Sequence, residues 1–528
     1  MTTIIKCKSG KYTYLYESTS FRDKNGKPKN IRKCVGRINP ITGEENYHPE
    51  YLERVSGTDK QPVIDDDIPF YKADLKTART QTYGVNYLLT NIANSIGLSD
   101  TLKFSVPDYH EHILALANYL VATEEPMMYC QYWLEKNSNI EVEGLSSQAI
   151  SKLLLSITDD ERMLFFKKWA EKCLEQEIIA LDITSVSSYS ELVNAVSWGY
   201  NRDAEKLPQV NICLLMGEKS GLPVFPLAYN GAIKDVSTLK TTLNTLLDLK
   251  LSNLTIVMDK GFASKKNIDF MLNNEDKIPF MLSIPVTMKF AQDLVQEERN
   301  SIDTPENTIA IGSDILRAVT RNKLWDNIHK IQAHIFYNAT STYTRRNELY
   351  GHISTLREMV LSGECDESHN SDIEKYLLIK KSSNSKSVIS TKIKYDIIEK
   401  ELSTTGWMVA ISNFIKAPKE ALQIYRNKDV VEKAFGKMKN FIDLGRLRVQ
   451  SDTAMQNKMF ISFISLILIS CINNVMIENN FYIKWTMKEL FKILQSCEAI
   501  YIRGQKILQP LTSSHKEIFL AFGFDLPE

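Results

Sequence analysis

The spacing of apolar and polar positions changes along this chain, and the changes divide it. Residues 1–60 alternate with a period of two in KYTYLYES and IRKCVGRI, separated by the turn-rich DKNGKPKN, which predicts a small β-module. Residues 61–83 are polar and rich in Asp and Pro, and read as a linker. Over 84–176 the period becomes helical, with helices predicted at Val85–Ile96, His110–Ala122, Ser147–Ser156 and Asp159–Cys173. Ser146 and Ser147 before the third helix, and Thr158 and Asp159 before the fourth, are suited to capping. This segment is a candidate DNA-binding bundle or a brace for the domain that follows.

The period then returns to that of strands. IIALDITSVSS, QVNICLLM, LPVFPLAY and LTIVMDKGF follow one another, helices are predicted at Ser237–Leu249 and Lys265–Asn274, and PFMLSI adds a further strand. Strands and helices in this order predict an α/β domain with a mixed sheet and flanking helices over 177–289. Residues 290–402 break the pattern, contain the low-complexity patch KKSSNSKS, and read as an insertion domain. TTGWMVAIS resumes the strand pattern, so the α/β domain continues over 403–480, with 481–528 a C-terminal helical tail. The most apolar run, MFISFISLILISCI, is 14 residues with three serines; it is too short to span a bilayer and predicts a buried helix. There is no internal repeat.

Composition adds little until charge is placed along the chain. The 528 residues carry 64 Lys and Arg against 64 Asp and Glu, so no overall basic field exists. Locally the balance shifts: residues 1–40 hold ten cations against two acids, and residues 415–450 hold nine against four. Such patches are what a polyanion meets. The eight cysteines form no C-x-x-C pair, and the N-terminus lacks the apolar core of a signal peptide. A soluble, cytoplasmic protein with no membrane segment is expected.

The candidate chemistry is carboxylate. Asp182 interrupts the apolar strand IIALDITS, and Asp259 ends the apolar strand LTIVMD. A charge in such a place is costly unless paired or metal-bound. The stretch ALQIYRNKDVVEKAFGKMK, residues 421–439, predicts one helix on which Tyr425, Lys428, Glu432 and Lys439 fall within about 60° of one another. Ile424, Val431, Ala434 and Met438 form the adjoining apolar stripe. Three hard oxygen donors without a His or Cys cluster suit Mg²⁺ or Mn²⁺ rather than zinc. The same residues also read more plainly: Asp182 as a hydrogen-bonded sheet residue, Asp259 as a turn residue, Lys428 and Glu432 as an i,i+4 pair. Asp235, before a helix, reads as an N-terminal cap, and His110 and His112 as helix-start residues rather than a zinc pair. Trp325, Tyr337, Tyr343 and Trp407 are candidates for stacking on a flipped base or, more simply, for core packing.

These residues resemble the DDE transposases of bacterial insertion sequences, and among them the IS-four-like group with the YREK signature. Tyr425, Glu432 and Lys439 match Tyr-x2-Arg-x3-Glu-x6-Lys in spacing, while Lys428 stands where that signature has arginine. Lysine keeps the charge and loses the bidentate fork. Asp182 matches the first family aspartate, Asp259 in MDKGF the second, and Asp235, Thr238 and Leu239 match an Asp-x-x-Thr-Leu element between them. KYTYLYES…GRINPITGE and EIFLAFGFDLP look like the two ends of long members. The resemblance implies a ribonuclease-H-like catalytic domain with an insertion between Asp259 and Glu432. It implies a site of Asp182, Asp259 and Glu432 holding two Mg²⁺ ions, with Mn²⁺ an alternative, and Tyr425, Lys428 and Lys439 on DNA phosphates. It further implies cleavage at terminal inverted repeats, transfer of the 3′-hydroxyl strand to target DNA, and a homodimer on DNA. Two other functions share these residues: a domesticated DNA-binding protein without cleavage, and a structure-selective nuclease.

Overall fold

A computed structural model describes residues 2–9, 12–22, 28–39, 43–49, 51–52, 78–138, 142, 144–173, 177–249, 254–274, 278–312, 314–364, 366–381, 388–442, 444–502 and 505–528. Two compact units, 1–77 and 78–528, make up the chain. In the first, β1 (Thr2–Ser9), β2 (Tyr12–Arg22), β3 (Pro28–Ile38) and β4 (Glu45–Tyr47) form an antiparallel meander in sequence order. Among the described residues of this unit, Leu15 and Val35 are buried apolar side chains. Gly36 is required where β4 crosses, because a Cβ there would stand 2.3 Å from the Asn46 carbonyl oxygen. Most of the expected linker, residues 61–77, lies outside the described residues, as do 23–27 of the turn and 382–387 of the low-complexity patch.

The second unit opens with β5 (Arg79–Thr82), which belongs to the body and not to a linker, since it pairs with a strand from the far end of the chain. Helices follow at Gly84–Ser95, Leu98–Ser105, His110–Thr123, Cys130–Lys136, Ser147–Ser156 and Asp159–Cys173. The Ser146 hydroxyl caps the fifth, accepting from the Ala149 amide. Thr158 and Glu161 exchange side-chain and backbone hydrogen bonds at the start of the sixth.

The central sheet has nine strands. β6 (Ile178–Ser187), β7 (Gln209–Gly217) and β8 (Pro223–Asn230) run antiparallel, whereas β9 (Thr255–Met258) and β10 (Phe280–Ile284) run parallel to β6. Three strands then depart from the expected insertion boundaries: β11 (Thr308–Ile311), β12 (Asp314–Trp325) and β13 (His329–Tyr337) extend the same sheet. Residues 339–403 form a separate lobe: helix Ala339–Ser362, β14 (Leu377–Lys381), β15 (Val388–Ile393) and helix Tyr395–Ser403. The lobe has its own apolar cluster, which includes Leu349, Ile353, Leu356 and Ile398. β16 (Trp407–Ser412) returns between β13 and β10, giving the order β11-β12-β13-β16-β10-β9-β6-β7-β8. β17 (Glu498–Ile502) and β18 (Gln505–Leu508) close a three-stranded sheet with β5.

The expected buried helix is Asp452–Glu478, 27 residues long. It is apolar enough to cross a membrane by length and composition, yet it lies buried between the bundle and the sheet. Phe460 meets Phe165 and Phe166 with ring centroids 5.1 and 5.5 Å apart, and Phe166 continues to Phe225 of β8 at 5.2 Å. Asn457, fully buried, accepts from Arg162 and donates to the Leu154 and Ile157 carbonyls at 2.9 Å each. Sheet, bundle and helix thus share one core. Removing a fully buried aromatic ring from such a core costs about 3–5 kcal/mol. Phe460→Ala is therefore expected to lower unfolding free energy by that amount in urea denaturation; a loss below about 1 kcal/mol would contradict the shared core.

Candidate active site

Leu181 of β6 and Met258 of β9 are register partners, so Asp182 and Asp259 occupy the next positions on two adjacent parallel strands, about 5 Å apart across the ladder. The Asp182 carboxylate accepts from its neighbour, the Ile183 amide, at 2.8 Å. Burial pushes its pKa up to about 6, with the Asp259 charge adding to the rise and Lys428 opposing it. Asp259 ends its strand and caps a short turn, accepting from the Gly261 amide at 2.7 Å. Glycine leaves both carboxylates room there: a Cβ would stand 2.9 Å from Asp259 Oδ1 and 3.4 Å from Asp235 Oδ2.

The predicted single helix over 421–439 is two helices, Pro418–Asn427 and Asp429–Asn440, that meet at Lys428. The Val431 amide bonds back to the Lys428 carbonyl at 3.0 Å, a tightened turn that breaks the regular stripe. Ile424, Val431, Ala434 and Met438 are buried as expected. Lys428 is buried. Its side chain is only 6% exposed, and the ammonium lies 3.6 Å from Asp182 and 3.5 Å from Glu432. Burial alone would lower its pKa; Asp182, then Asp259 and Glu432, outweigh burial and raise it. Glu432 is 63% exposed, so it joins the other carboxylates from the solvent side through this one ammonium.

The remaining expected residues fall around this centre. Tyr425 is half-buried, its phenol raised by burial and bonded to Ser283, which lies one residue beyond the register partner of Met258 on β10. Lys439 is paired with Asp203 at 2.6 Å. Asp235 is not a side-chain cap: the helix Asp235–Asp248 begins at that residue, and its carboxylate pairs with Arg202. The sequence patterns missed Arg202 and Asp203, since the 198–207 loop has no periodicity; only its density of charge marked it. The four aromatics divide. Trp325 is buried against Phe290; Tyr337 and Trp407 pack against each other at a tilt, ring centroids 4.8 Å apart; and Tyr343 alone is 68% exposed. His110 begins its helix and bonds the Pro107 carbonyl.

As a metal site the arrangement fits in donor type and is incomplete in geometry. Asp182 and Asp259 supply hard oxygens side by side, and a dication would relieve the burial cost that Asp182 carries. Among the described residues, no group of three His, Cys, Asp or Glu side chains is gathered closely enough to hold an ion. The ammonium of Lys428 stands between Asp182 and Glu432.

Residues 174–468 match the family model described as the transposase DDE domain. No curated protein matches the chain. A piggyBac transposase synaptic complex with hairpin DNA, solved by cryo-EM, resembles the chain at 10% identity with a TM-score of 0.33, over 73% of this chain and 70% of that one. The family match spans more than half of the sequence and contains both aspartates and Glu432, and the chain belongs to the transposase DDE domain family.

Proposed function

We propose that this protein is a DNA transposase of the IS-four-like group. It would cleave at the terminal inverted repeats of its element and transfer the freed 3′-hydroxyl strand to target DNA, as a homodimer. The observation that carries this reading is the side-by-side placement of Asp182 and Asp259 with Glu432 tied to Asp182 through Lys428. β8-β7-β6-β9-β10, three antiparallel strands followed by two parallel to the first, supports a ribonuclease-H-like sheet beneath them.

Asp182, Asp259 and Glu432 would hold divalent ions, Mg²⁺ or Mn²⁺, which would supply Lewis-acid stabilisation of the oxygens at a phosphodiester. The chain's own residues do the rest. Tyr425 would position a phosphate from beside Asp259. Lys439, half-buried and paired with Asp203, would contact phosphate once that pair opens. Lys428 takes a different part from the one its place in the signature suggests. It is the internal counterion of the acidic cluster and competes with metal for the same carboxylates.

Asp182→Ala, Asp259→Ala and Glu432→Ala are each expected to abolish Mg²⁺-dependent cleavage of a labelled inverted-repeat duplex while leaving gel-shift binding intact; normal cutting by one of them would remove that residue from the site. A domesticated binding protein would bind without cutting in every form, and a structure-selective nuclease would cut without giving joined products.

Lys428→Met should strengthen Mn²⁺ binding several-fold, read by paramagnetic resonance of the protein without DNA. Unchanged affinity would show that the ammonium does not compete.

The raised Asp182 pKa also sets a pH dependence. Its folded-state value lies above that of the unfolded chain, so its stabilising effect is present below about pH 4 and lost as pH rises through about 6. Metal-free protein should therefore lose on the order of 2–3 kcal/mol between pH 4 and 7 from this group. Asp182→Asn should remove that part of the slope in denaturation curves, and an unaltered profile would contradict the assignment.

A further inference from the structure

A second feature lies farther along β6. Beyond Ser187, the strand's last residue, Ser188, Tyr189 and Ser190 line a cavity of about 330 Å³ whose other wall is Arg446, Arg448, Val449 and Gln450. That volume is at the lower end of ligand pockets, about 300–1,000 Å³, and holds one base with its sugar. The wall is held rigidly. Ser187 and Arg446 form a parallel bridge, Ser190 bonds Gln450 at 3.2 Å, and the buried Lys458 ammonium donates to the Arg446 and Leu447 carbonyls at 3.2 and 3.0 Å. Arg448 is held at φ +49°, a left-handed conformation that costs about 1 kcal/mol or more for a residue with a Cβ.

The surroundings are unusual for a soluble surface. Tyr189 is 75% exposed, Trp198 67% and Tyr200 83%. Arg446 faces the Tyr189 hydroxyl and is bound to Glu205 at 2.6 Å, which ties the loop that carries Trp198 and Tyr200 to the cavity wall. Of the nearby acids, Glu205 is engaged by Arg446 and Ser187 and Asp452 by Asn194, while Glu191 is exposed. Flat aromatic faces with guanidinium groups beside them are the combination on which unpaired bases stack and backbone phosphates are neutralised. A duplex, whose bases are already stacked, offers such rings nothing to stack on.

We propose that this cavity, with Tyr189 in its wall and Trp198 and Tyr200 on the loop tied to that wall, binds an unpaired nucleotide of single-stranded DNA. β6 runs about 16 Å from Asp182 to Ser187, five residues at about 3.3 Å each, and the site lies beyond that end, so it would hold the strand a few nucleotides from the acidic cluster. This rests on the reading of the protein as one that acts on DNA, and it adds a single-strand site separate from the carboxylates.

The test uses the full-length protein in EDTA, so that cleavage plays no part, with a short fluorescein-labelled oligonucleotide offered single-stranded or as a duplex. Tyr189→Ala and Trp198→Ala are each expected to weaken single-strand binding about tenfold or more, the worth of one stacked base, with duplex affinity changed less than about twofold. Tyr189→Phe should bind as the parent does. A 2-aminopurine placed in the single strand should be quenched on binding to the parent and not to Tyr189→Ala. Single-strand affinity unchanged in both alanine variants would overturn the proposal, and so would equal losses on single strand and duplex. Failure here with Asp182-dependent cleavage intact would leave the transposase reading standing, whereas aromatic-dependent single-strand binding without any such cleavage would leave only the pocket.

Discussion

Two carboxylates forced together by a parallel strand register are the constraint around which this protein is built. β6 and β9 are neighbours, and their register leaves Asp182 and Asp259 no choice but to share one end of the sheet. Burial of the Asp182 charge is costly and appears as its raised pKa, to which the like charge of Asp259 adds. The chain answers with one buried cation, Lys428, at the break between two helices. The same ammonium also reaches Glu432, at 3.5 Å.

Holding Lys428 in place is a task for the wider fold. The helix before it is tied to the edge strands by Arg426, which pairs with Asp314 at 2.8 Å and bonds the Ile311 carbonyl. The helix after it packs on the long buried helix, which in turn joins the N-terminal bundle through Phe460 and Asn457. Sheet extension, bundle and buried helix are therefore structurally connected to the acidic cluster, and membership in the transposase DDE domain family gives that cluster its chemical context.

The strands of the α/β domain and most of the helices before it were legible because their periods are clean and their core faces are continuous. The four helices expected over 84–176 appear within two residues of their bounds, two of them at the expected residues. Both aspartates announced themselves as charges in apolar strands. What failed did so where local pattern and tertiary pairing part. β12 and β13 are amphipathic strands with many polar outward residues, so their sequence looked irregular, and only the pairing of β12 with β13 and of β13 with β16 makes them part of the sheet. The break at Lys428 has no proline or glycine to signal it, and periodicity alone carried a stripe through it. Arg202 and Asp203 lie in an aperiodic loop whose ion pairs reach Asp235 and Lys439, and such pairings over long separations leave no local trace.

The central claim is that Asp182, Asp259 and Glu432 form one divalent-ion site once DNA is present. Anomalous diffraction from crystals of the protein bound to an inverted-repeat duplex and soaked in Mn²⁺ tests it directly. The account predicts manganese density between Asp182 and Asp259, with Glu432 drawn in and the Lys428 ammonium displaced. Density elsewhere, or Lys428 still seated between the carboxylates of a metal-loaded, DNA-bound protein, would contradict it.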